Sequence, residues 1–350
     1  MIPVTILTGF LGSGKTTLLK RILQEPHGLK IAVIENEFGE ENIDNEILII
    51  DDQEQIIQMS NGCICCTIRG DLVNALNRLY ERRLNKEIYF DQIVIETTGL
   101  ANPGPVAQTF FMDDSVAKHY LLDAIIAVVD AKHAHNQLDE HNVALHQIAF
   151  ADRIYLNKTD LIAEDEIAPL KKRLATINSR ASITPTTFAK ALIQDILNIR
   201  GFNLNDILEI NPDFLPNATT PKAAHIQTSS SSNTPSEHQT DSVHYHHHHH
   251  NDAIKSCVFR SKRPFDSKKF EDFLSGILRI YGENLLRYKG IVYIKGVERR
   301  VIIQGIHELM GSDLGRPWQA GQKETKIVFI GIHLPEQILL GGLKKCLFNS

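Results

Sequence analysis

A glycine-rich stretch near the amino terminus, GFLGSGKT at residues 9–16, matches G-x-x-x-x-G-K-[ST] at every fixed position. Glycines let such a loop point its backbone N–H groups at phosphate oxygens. Lys15 would bridge the β- and γ-phosphates of a nucleoside triphosphate, and the Thr16 hydroxyl would ligate Mg²⁺. A chance glycine-rich turn is the alternative. The predicted nucleotide ligands of this loop are Gly9, Gly12, Ser13, Gly14, Lys15, Thr16 and Thr17.

The residues NKTD, at positions 157–160, indicate which base the nucleotide carries. The Asp160 carboxylate can accept hydrogen bonds from N1–H and the 2-amino group of guanine, whereas adenine offers no such pair. Asn157 would hold the loop and contact N7, and the stem of Lys158 would pack along the base. A polar turn is the alternative, but the position after a later predicted strand favours GTP. A second guanine-contacting loop is expected near residues 188–190, where the pattern is too loose to assign.

Between these motifs, the stretch IVIETTGLANPGP carries an acid and a glycine at the end of an apolar run. Glu96 would hold the magnesium shell through water, and Gly99 would offer its backbone N–H to the γ-phosphate. A capping acid at a strand end is the alternative for Glu96, where many GTPases have Asp. The candidate catalytic residues for in-line attack of water on the γ-phosphate are Lys15, Thr16, Glu96 and Gly99. No residue stands out as a base or an arginine finger, so we expect slow intrinsic hydrolysis.

Three of the five cysteines fall within four positions of the stretch SNGCICCTIRG, at Cys63, Cys65 and Cys66. Thiolates this close repel one another unless a cation such as Zn²⁺ or Co²⁺ stabilises them. Three sulfurs are one short of a closed tetrahedral site, and a fourth ligand could come from the acidic stretch IENEFGEENID at residues 34–44. A buried thiol cluster and a redox sensor are the alternatives. The acidic stretch is either a switch segment that senses the γ-phosphate or a solvated loop.

Half of the sixteen histidines lie between positions 225 and 250 and end in HYHHHHH. In a low-complexity segment, neutral imidazoles can form overlapping, exchangeable sites for Zn²⁺, Ni²⁺ or Co²⁺. A solvated spacer and an artefactual internal tag are the alternatives. The candidate ligands in the run are His246, His247, His248, His249 and His250.

The elements that must position these residues alternate between apolar strands and amphipathic helices. Predicted strands span residues 4–8, 30–34, 92–96, 124–129, 153–156 and 182–188, and predicted helices include 71–83 and 164–178. Continuous apolar strands separated by helices indicate an α/β fold: a mainly parallel sheet covered by helices on both faces. A phosphate-binding loop after the first strand makes this a P-loop domain.

A change in composition divides the chain. From 217 to 252 it is Ser, Thr, Asn, Pro and His, which cannot bury enough apolar surface to offset conformational entropy, so a disordered linker is predicted. Beyond it, IKSCVFR, GIVYIKG, RRVIIQGIHEL and TKIVFIGIHL are predicted strands, with helices at 266–281 and from Pro335. We therefore predict a nucleotide domain at 1–216, a linker at 217–252 and a smaller α+β domain at 253–350.

Bulk properties limit the partners and the compartment. The formal charge of −5 provides no general attraction to nucleic acid or anionic membranes, and no apolar run reaches the roughly 18 residues of a spanning helix. The start, MIPVTILTGF, lacks a basic n-region and a cleavage site, so we interpret it as a strand rather than a signal peptide. We expect a cytoplasmic protein with reduced thiols, and lone Cys257 and Cys346 are interpreted as core or incidental residues.

The motifs TGFLGSGKTTLL, IENEFGE, NGCICC, VIETTGLANPGP and NKTD occur in the order seen in the CobW family of P-loop GTPases, and the chain resembles its YjiA-like branch. The stretches LLRYKGIVYIKG and GRPW resemble the family's C-terminal domain. The resemblance implies a GTPase that handles transition metals, commonly zinc. It places the C-x-C-C ligands at Cys63, Cys65 and Cys66 and further acidic ligands at Glu35, Glu37 and Glu40. It does not cover the linker.

The combined interpretation is a GTP- and Mg²⁺-dependent metallochaperone that delivers a transition metal, with zinc expected, to a client protein. A nickel- or cobalt-insertion GTPase is one alternative. A metal-storage or metal-sensing protein without client transfer is another, and a small-molecule kinase using the same loop is a third. The client itself is not identified by any pattern in the chain.

Overall fold

The structure is a computed structural model that describes residues 1–35, 47–49, 68–197, 199, 253–319, 321 and 323–348. The three clustered cysteines, most of the acidic stretch and the predicted linker at 217–252 lie outside these residues. Within them, no helix combines the length and the apolar character needed to cross a lipid bilayer.

The amino-terminal elements form a seven-stranded α/β sheet. Its strands are β1 Ile2–Thr8, β2 Ile31–Glu35, β3 Ile47–Ile49, β4 Gln92–Glu96, β5 Tyr120–Asp130, β6 Arg153–Asn157 and β7 Ser182–Pro185. The helices are α1 Lys15–Gln24, α2 Ile68–Leu84, α3 Pro103–Met112, α4 Asp114–His119, α5 Ala134–Glu140, α6 Asn142–Phe150 and α7 Glu164–Ile177. Short 3₁₀ turns occur at Thr159–Leu161 and Ile193–Asp195.

The strand order is β3-β2-β4-β1-β5-β6-β7, and every pairing is parallel except that of β3 with β2 at one edge. One face of the sheet packs against α2, α3, α6 and α7, and the other packs against α1 and residues 193–197 and 199. Strands buried on both faces need apolar side chains at successive positions, as in IIAVV of β5. The predicted mainly parallel, doubly covered sheet is confirmed.

Two predicted strands of this domain differ from the structure by more than two residues at one end. The strand predicted at 124–129 extends over Tyr120–Asp130, and the strand predicted at 182–188 ends at Pro185. The second prediction was wrong because Phe188 and Ala189 have positive φ angles of 51° and 52°, which turn the chain away from the sheet. Neither is a glycine, so composition gives no sign of this turn.

The carboxy-terminal elements form a five-stranded antiparallel sheet in the order β11-β10-β9-β12-β8. Its strands are β8 Ile254–Ser261, β9 Leu285–Val292, β10 Arg299–Ile306, β11 Leu309–Pro317 and β12 Thr325–Ile332. Two helices, α8 Ser267–Tyr281 and α9 Glu336–Lys345, pack on one face. The predicted smaller α+β domain is confirmed. RRVIIQGIHEL is not one strand but a hairpin, because His307 adopts a φ of 53° in a two-residue turn.

The other face of this sheet packs against the first domain. Ile254, Leu286 and Val328 belong to the same buried apolar cluster as side chains of α6 and α7. Polar contacts cross the boundary as well: Arg287 of β9 donates to the Phe150 carbonyl and to Asp152 Oδ1, the latter at 2.7 Å. The two sheets are thus joined through a continuous core.

Candidate functional site

The phosphate-binding loop connects β1 to α1 and contains three glycines with backbone conformations that other residues rarely adopt. Gly9, Gly12 and Gly14 have φ angles of 145°, 72° and 106°. A methyl group at Gly9 would lie 2.2 Å from the Val128 carbonyl oxygen, and one at Gly14 would lie 2.5 Å from Asn157 Nδ2. The loop therefore depends on glycine for both its backbone conformation and its close packing.

Two polar side chains of this loop, those of Ser13 and Lys15, are buried. Lys15 is largely buried at the start of α1, and its Nζ donates to the Phe10 carbonyl oxygen at 3.3 Å. Burial lowers the pKa of Lys15, and the Glu96 carboxylate opposes this shift. Ser13 Oγ is buried without a hydrogen-bond partner among the described residues. Together with the amide groups at the start of α1, these groups suit a phosphate.

The two predicted magnesium-associated residues lie side by side. Thr16 Oγ1 donates to Glu96 Oε1 at 3.0 Å, although the two residues are 80 positions apart. Glu96 is the last residue of β4, which neighbours β1, so the sheet brings its carboxylate to the phosphate loop. A hydroxyl and a carboxylate are the hard oxygen donors that Mg²⁺ requires, directly or through water, so the pair fits this ion.

The loop after Glu96 lies directly against the phosphate loop. Thr97 N donates to the Leu7 carbonyl oxygen at 2.9 Å, and Thr97 Oγ1 donates to Thr8 Oγ1 at 3.0 Å. A methyl group at Gly99 would lie 2.7 Å from the backbone nitrogen of Leu11, so only glycine allows this approach. The structure thus brings Gly99 against Leu11 of the phosphate loop.

The NKTD loop is fixed to the phosphate loop by its asparagine. Asn157 Nδ2 donates to the Ser13 carbonyl oxygen at 2.9 Å, and Asn157 Oδ1 accepts a hydrogen bond from Ala189 N at the same distance. The left-handed conformation of Lys158, with a φ of 63°, turns the chain so that Asp160 is exposed. An exposed carboxylate held beside the phosphate loop is available to a base. The bond from Ala189 joins the expected second loop at 188–190 to this site.

Sequence reasoning missed one acid of the site, Asp130, which ends β5 next to the phosphate loop. Its Oδ2 accepts a hydrogen bond from Lys158 Nζ at 2.7 Å and contacts His133 Nδ1 at 3.0 Å. Burial raises the pKa of Asp130, but its hydrogen bonds to Lys158 and His133 outweigh burial and hold the pKa below its usual value. Asp130 matches no motif, and the available signal was its place at the carboxyl end of a central parallel strand.

The predicted transition-metal ligands fall mainly outside the described residues. This applies to Cys63, Cys65, Cys66, Glu37, Glu40 and the histidine run His246, His247, His248, His249 and His250. Glu35 ends β2 and pairs in register with Glu96, so the acidic stretch leaves the sheet beside the nucleotide site. Among the described residues, no three His, Cys, Asp or Glu side chains are grouped to hold a metal.

The two isolated cysteines lie in the core, which is the first of the two interpretations made from the sequence. Cys257 and Cys346 are both buried, and both are free thiols. Burial raises the pKa of Cys257 to about 12 and also raises that of Cys346. Neither thiol is therefore suited to nucleophilic chemistry at neutral pH.

Comparison with known proteins identifies the family. Residues 3–185 match the nucleotide-binding domain of CobW/HypB/UreG proteins, and residues 254–347 match the C-terminal domain of the cobalamin synthesis protein CobW. The chain is 40% identical to the zinc chaperone YjiA of Escherichia coli, over 98% of this chain and 99% of that protein. It is 41% identical to the zinc-regulated GTPase metalloprotein activator 1 of Schizosaccharomyces pombe, over 57% of this chain and 50% of that protein.

Solved structures agree with this relationship. The crystal structure of Zn(II)-bound YjiA GTPase from E. coli superposes with a TM-score of 0.74 at 37% identity, covering 99% of each chain. The likeness therefore includes both sheets and the sequence that builds them. The chain belongs to the CobW/HypB/UreG family of P-loop GTPases.

Proposed function

We propose that this GTPase uses Mg²⁺ and GTP to control the binding of zinc and its transfer to a client protein. The observation that carries the proposal is the register of β2 against β4, which sets Glu35 beside Glu96. The acidic stretch begins at this end of β2. Ile47, which follows the stretch, pairs with Ile34, so the chain comes back to the same end of the strand. Glu37 and Glu40 are five residues or fewer from Glu35, which keeps them within about 20 Å of Glu35.

The chemistry of hydrolysis falls to the residues around the phosphate loop. The loop amides and Lys15 neutralise charge on the phosphates, and Gly99 presents its backbone N–H to the γ-phosphate. Thr16 and Glu96 hold the Mg²⁺ that supplies further charge neutralisation when bound. Asp160 selects guanine, and Asn157 fixes its loop to Ser13. The further loop contacts in this proposal come from Gly9, Gly12, Gly14 and Thr17.

Zinc is proposed as the cargo because two relatives carry it in their names and because thiolates are ligands that zinc prefers. Cys63, Cys65 and Cys66 supply three sulfurs, and an acid among Glu35, Glu37 and Glu40 supplies the fourth ligand. Nucleotide-dependent ordering of the acidic stretch then changes zinc affinity. A tenfold change requires about 1.4 kcal/mol of coupling, within the range of linked sites.

The remaining parts of the chain complete the proposal. Residues 1–216 form the GTPase domain, and residues 253–350 form the second domain. Between them, residues 217–252 capture metal through the run from His246 to His250, where imidazoles offer exchangeable sites for Zn²⁺, Co²⁺ or Ni²⁺. The setting is the cytoplasm, where thiols stay reduced.

A zinc titration against a fluorescent chelator, with Mg²⁺-GDP or a Mg²⁺-bound non-hydrolysable GTP analogue, tests the coupling. We expect zinc affinity to differ about tenfold between the two nucleotides. The Cys65→Ala/Cys66→Ala variant should lose the tight site, whereas Cys257→Ala, which removes a buried thiol elsewhere, should keep it. Equal affinities with both nucleotides would contradict the switch, and tight binding in the double variant would move the site to the histidines.

A second assay separates a chaperone from a storage or sensing protein. GTP is added to the zinc-loaded protein in the presence of an apo-protein acceptor, and zinc arrival is followed alongside phosphate release. We expect transfer to accelerate with hydrolysis and to fail in Lys15→Ala. Transfer at the same rate without hydrolysis would leave a storage function, and a preference for Ni²⁺ or Co²⁺ would favour the corresponding insertion GTPase.

A further inference from the structure

One buried polar side chain of the first domain belongs to no motif. Gln147 lies on α6 and is only 1% exposed. A primary amide in such surroundings costs free energy unless its hydrogen bonds are made. Its Nε2 donates to the Gly99 carbonyl oxygen and to the Ala101 carbonyl oxygen, each at 3.1 Å. Both hydrogens of the amide nitrogen are therefore used on the loop that follows Glu96.

These two bonds fix the orientation of a short turn. Ala101 N donates to the Thr98 carbonyl oxygen at 3.1 Å, so residues 98–101 form a turn with Gly99 at its second position. Thr97 ties the beginning of this loop to β1, and Gln147 ties its far side to α6. The peptide units on either side of Gly99 are thus constrained, and its N–H direction follows from them.

The helix that carries Gln147 is itself held firmly. Asn178 Nδ2 donates to the carbonyl oxygens of Ile148 and Ala151, each at 2.8 Å, and to that of Ala149 at 3.3 Å. Arg287 of the second domain donates to the Phe150 carbonyl. Gln147 therefore connects the loop of Gly99 to a fixed element rather than to another loop.

We propose that Gln147 is a positioning residue for GTP hydrolysis, which holds the Gly99–Ala101 carbonyls so that the Gly99 N–H faces the γ-phosphate. This role of Gln147 rests on the proposed use of Gly99 in hydrolysis and is independent of the zinc step. Displacing a stabilising donor by about 1 Å can cost on the order of 100-fold in rate. Because Gln147 contacts neither the phosphate loop amides nor the NKTD loop through these bonds, nucleotide affinity should change little.

The test compares Gln147→Met, which keeps the length of the side chain but removes the donors, with the full-length wild-type protein. We expect the single-turnover rate of GTP hydrolysis to fall at least about tenfold, while the Kd of fluorescent GDP stays within about threefold. Gln304→Met removes a buried amide from β10 of the second sheet and serves as the matched control. It should leave both quantities unchanged.

Gln147→Glu adds a readout that a purely structural role would not move. An ionised carboxylate cannot donate to two carbonyl oxygens, whereas the protonated acid can donate to one, and burial raises the pKa of a carboxyl. The hydrolysis rate of this variant, divided by that of the wild type, should therefore rise as the pH falls from 8 to 5.5. The pH dependence of Gln147→Glu also tests the proposal if Gln147→Met does not fold.

Three results would overturn the inference. The first is a hydrolysis rate of Gln147→Met within twofold of the wild-type rate. The second is a parallel loss of hydrolysis rate and GDP affinity in that variant. The third is a ratio of Gln147→Glu rate to wild-type rate that does not change with pH. A Lys15→Ala variant measured in the same assay distinguishes failure of the Gln147 proposal alone from failure of the proposed nucleotide site. If it hydrolyses GTP like the wild type, the proposed nucleotide site fails, and the role of Gln147 fails with it.

Discussion

Asp160 is the residue proposed to select guanine, and it is exposed at the turn that Lys158 creates. In Asp160→Asn the side chain can still accept from N1–H but no longer from the 2-amino group, and its own amide donor suits the 2-oxo group of xanthine. We expect GTP affinity to fall at least about 100-fold and XTP to bind better than GTP. Competition with a fluorescent nucleotide measures both.

A matched control for this prediction is Asp165→Asn, which removes one exposed carboxylate from the first turn of α7. It should leave the GTP to XTP ratio unchanged. An unchanged ratio in Asp160→Asn as well would show that base selection lies elsewhere, with the 188–190 loop as the next candidate.

At this scale, the sequence predicted the residues that belong to compact motifs. Lys15, Thr16 and Glu96 could be proposed as site residues because their spacing is set by one loop or one strand end. Asp130 and Gln147 could not, because their roles come from contacts between elements distant in the chain. Gln147 in particular lies in a helix whose pattern does not distinguish a buried amide from an exposed one.

Among the elements, the link between α6 and α7 depends on Asn178, the residue after α7. It is fully buried and donates to three carbonyl oxygens at the end of α6, while its Oδ1 accepts from Arg180 N and Ala181 N, each at 3.1 Å. Removing it leaves several of these groups without partners, so we expect Asn178→Ala to lower the free energy of unfolding by about 3 kcal/mol.

Thermal unfolding followed by circular dichroism measures this change. Asn136→Ala, an exposed asparagine of α5, is the control and should leave the melting temperature unchanged. A loss in Asn178→Ala no larger than that of the control would show that the three carbonyl groups are satisfied in another way.

Element type was easier to predict than element ends. The strand at 92–96 coincides with β4, because an apolar run there is bounded by polar residues on both sides. The hairpin between β10 and β11 and the early end of β7 were missed. Both depend on residues other than glycine with positive φ angles, His307 in one case and Phe188 with Ala189 in the other. Such conformations are imposed by tertiary packing, which local propensity does not register.

Across the whole molecule, the two domains share a buried ionic cluster centred on Asp152. Its Oδ1 pairs with Arg180 and Arg287, and its Oδ2 accepts from Ile125 N at 2.9 Å. Burial raises the pKa of Asp152, but the surrounding cations outweigh it and lower the pKa to about 2. Breaking such a cluster from one side leaves buried cations uncompensated, so Asp152→Asn should cost about 3–5 kcal/mol at pH 7.

The sign of the pH dependence follows from the lowered pKa. The ionised form is favoured in the folded state, so the stabilisation is complete above about pH 5 and is lost progressively as the pH falls through 3.8 towards 2. The difference in melting temperature between the wild type and Asp152→Asn should therefore shrink over that interval. A difference that stays constant from pH 7 to pH 2.5 would contradict the assignment.

The apolar cluster shared by α6, α7 and the second sheet also bears on how such proteins can evolve by recombination. The family segments end at 185 and begin again at 254, so each can be recognised in a genome as a separate unit. Their side chains nevertheless interdigitate, with Ile254, Leu286 and Val328 filling space left by the first domain. A chimera that takes one domain from each of two relatives would bring together interface side chains that do not pack against each other in either parent. Substitutions on the two sides of this boundary should therefore be inherited together.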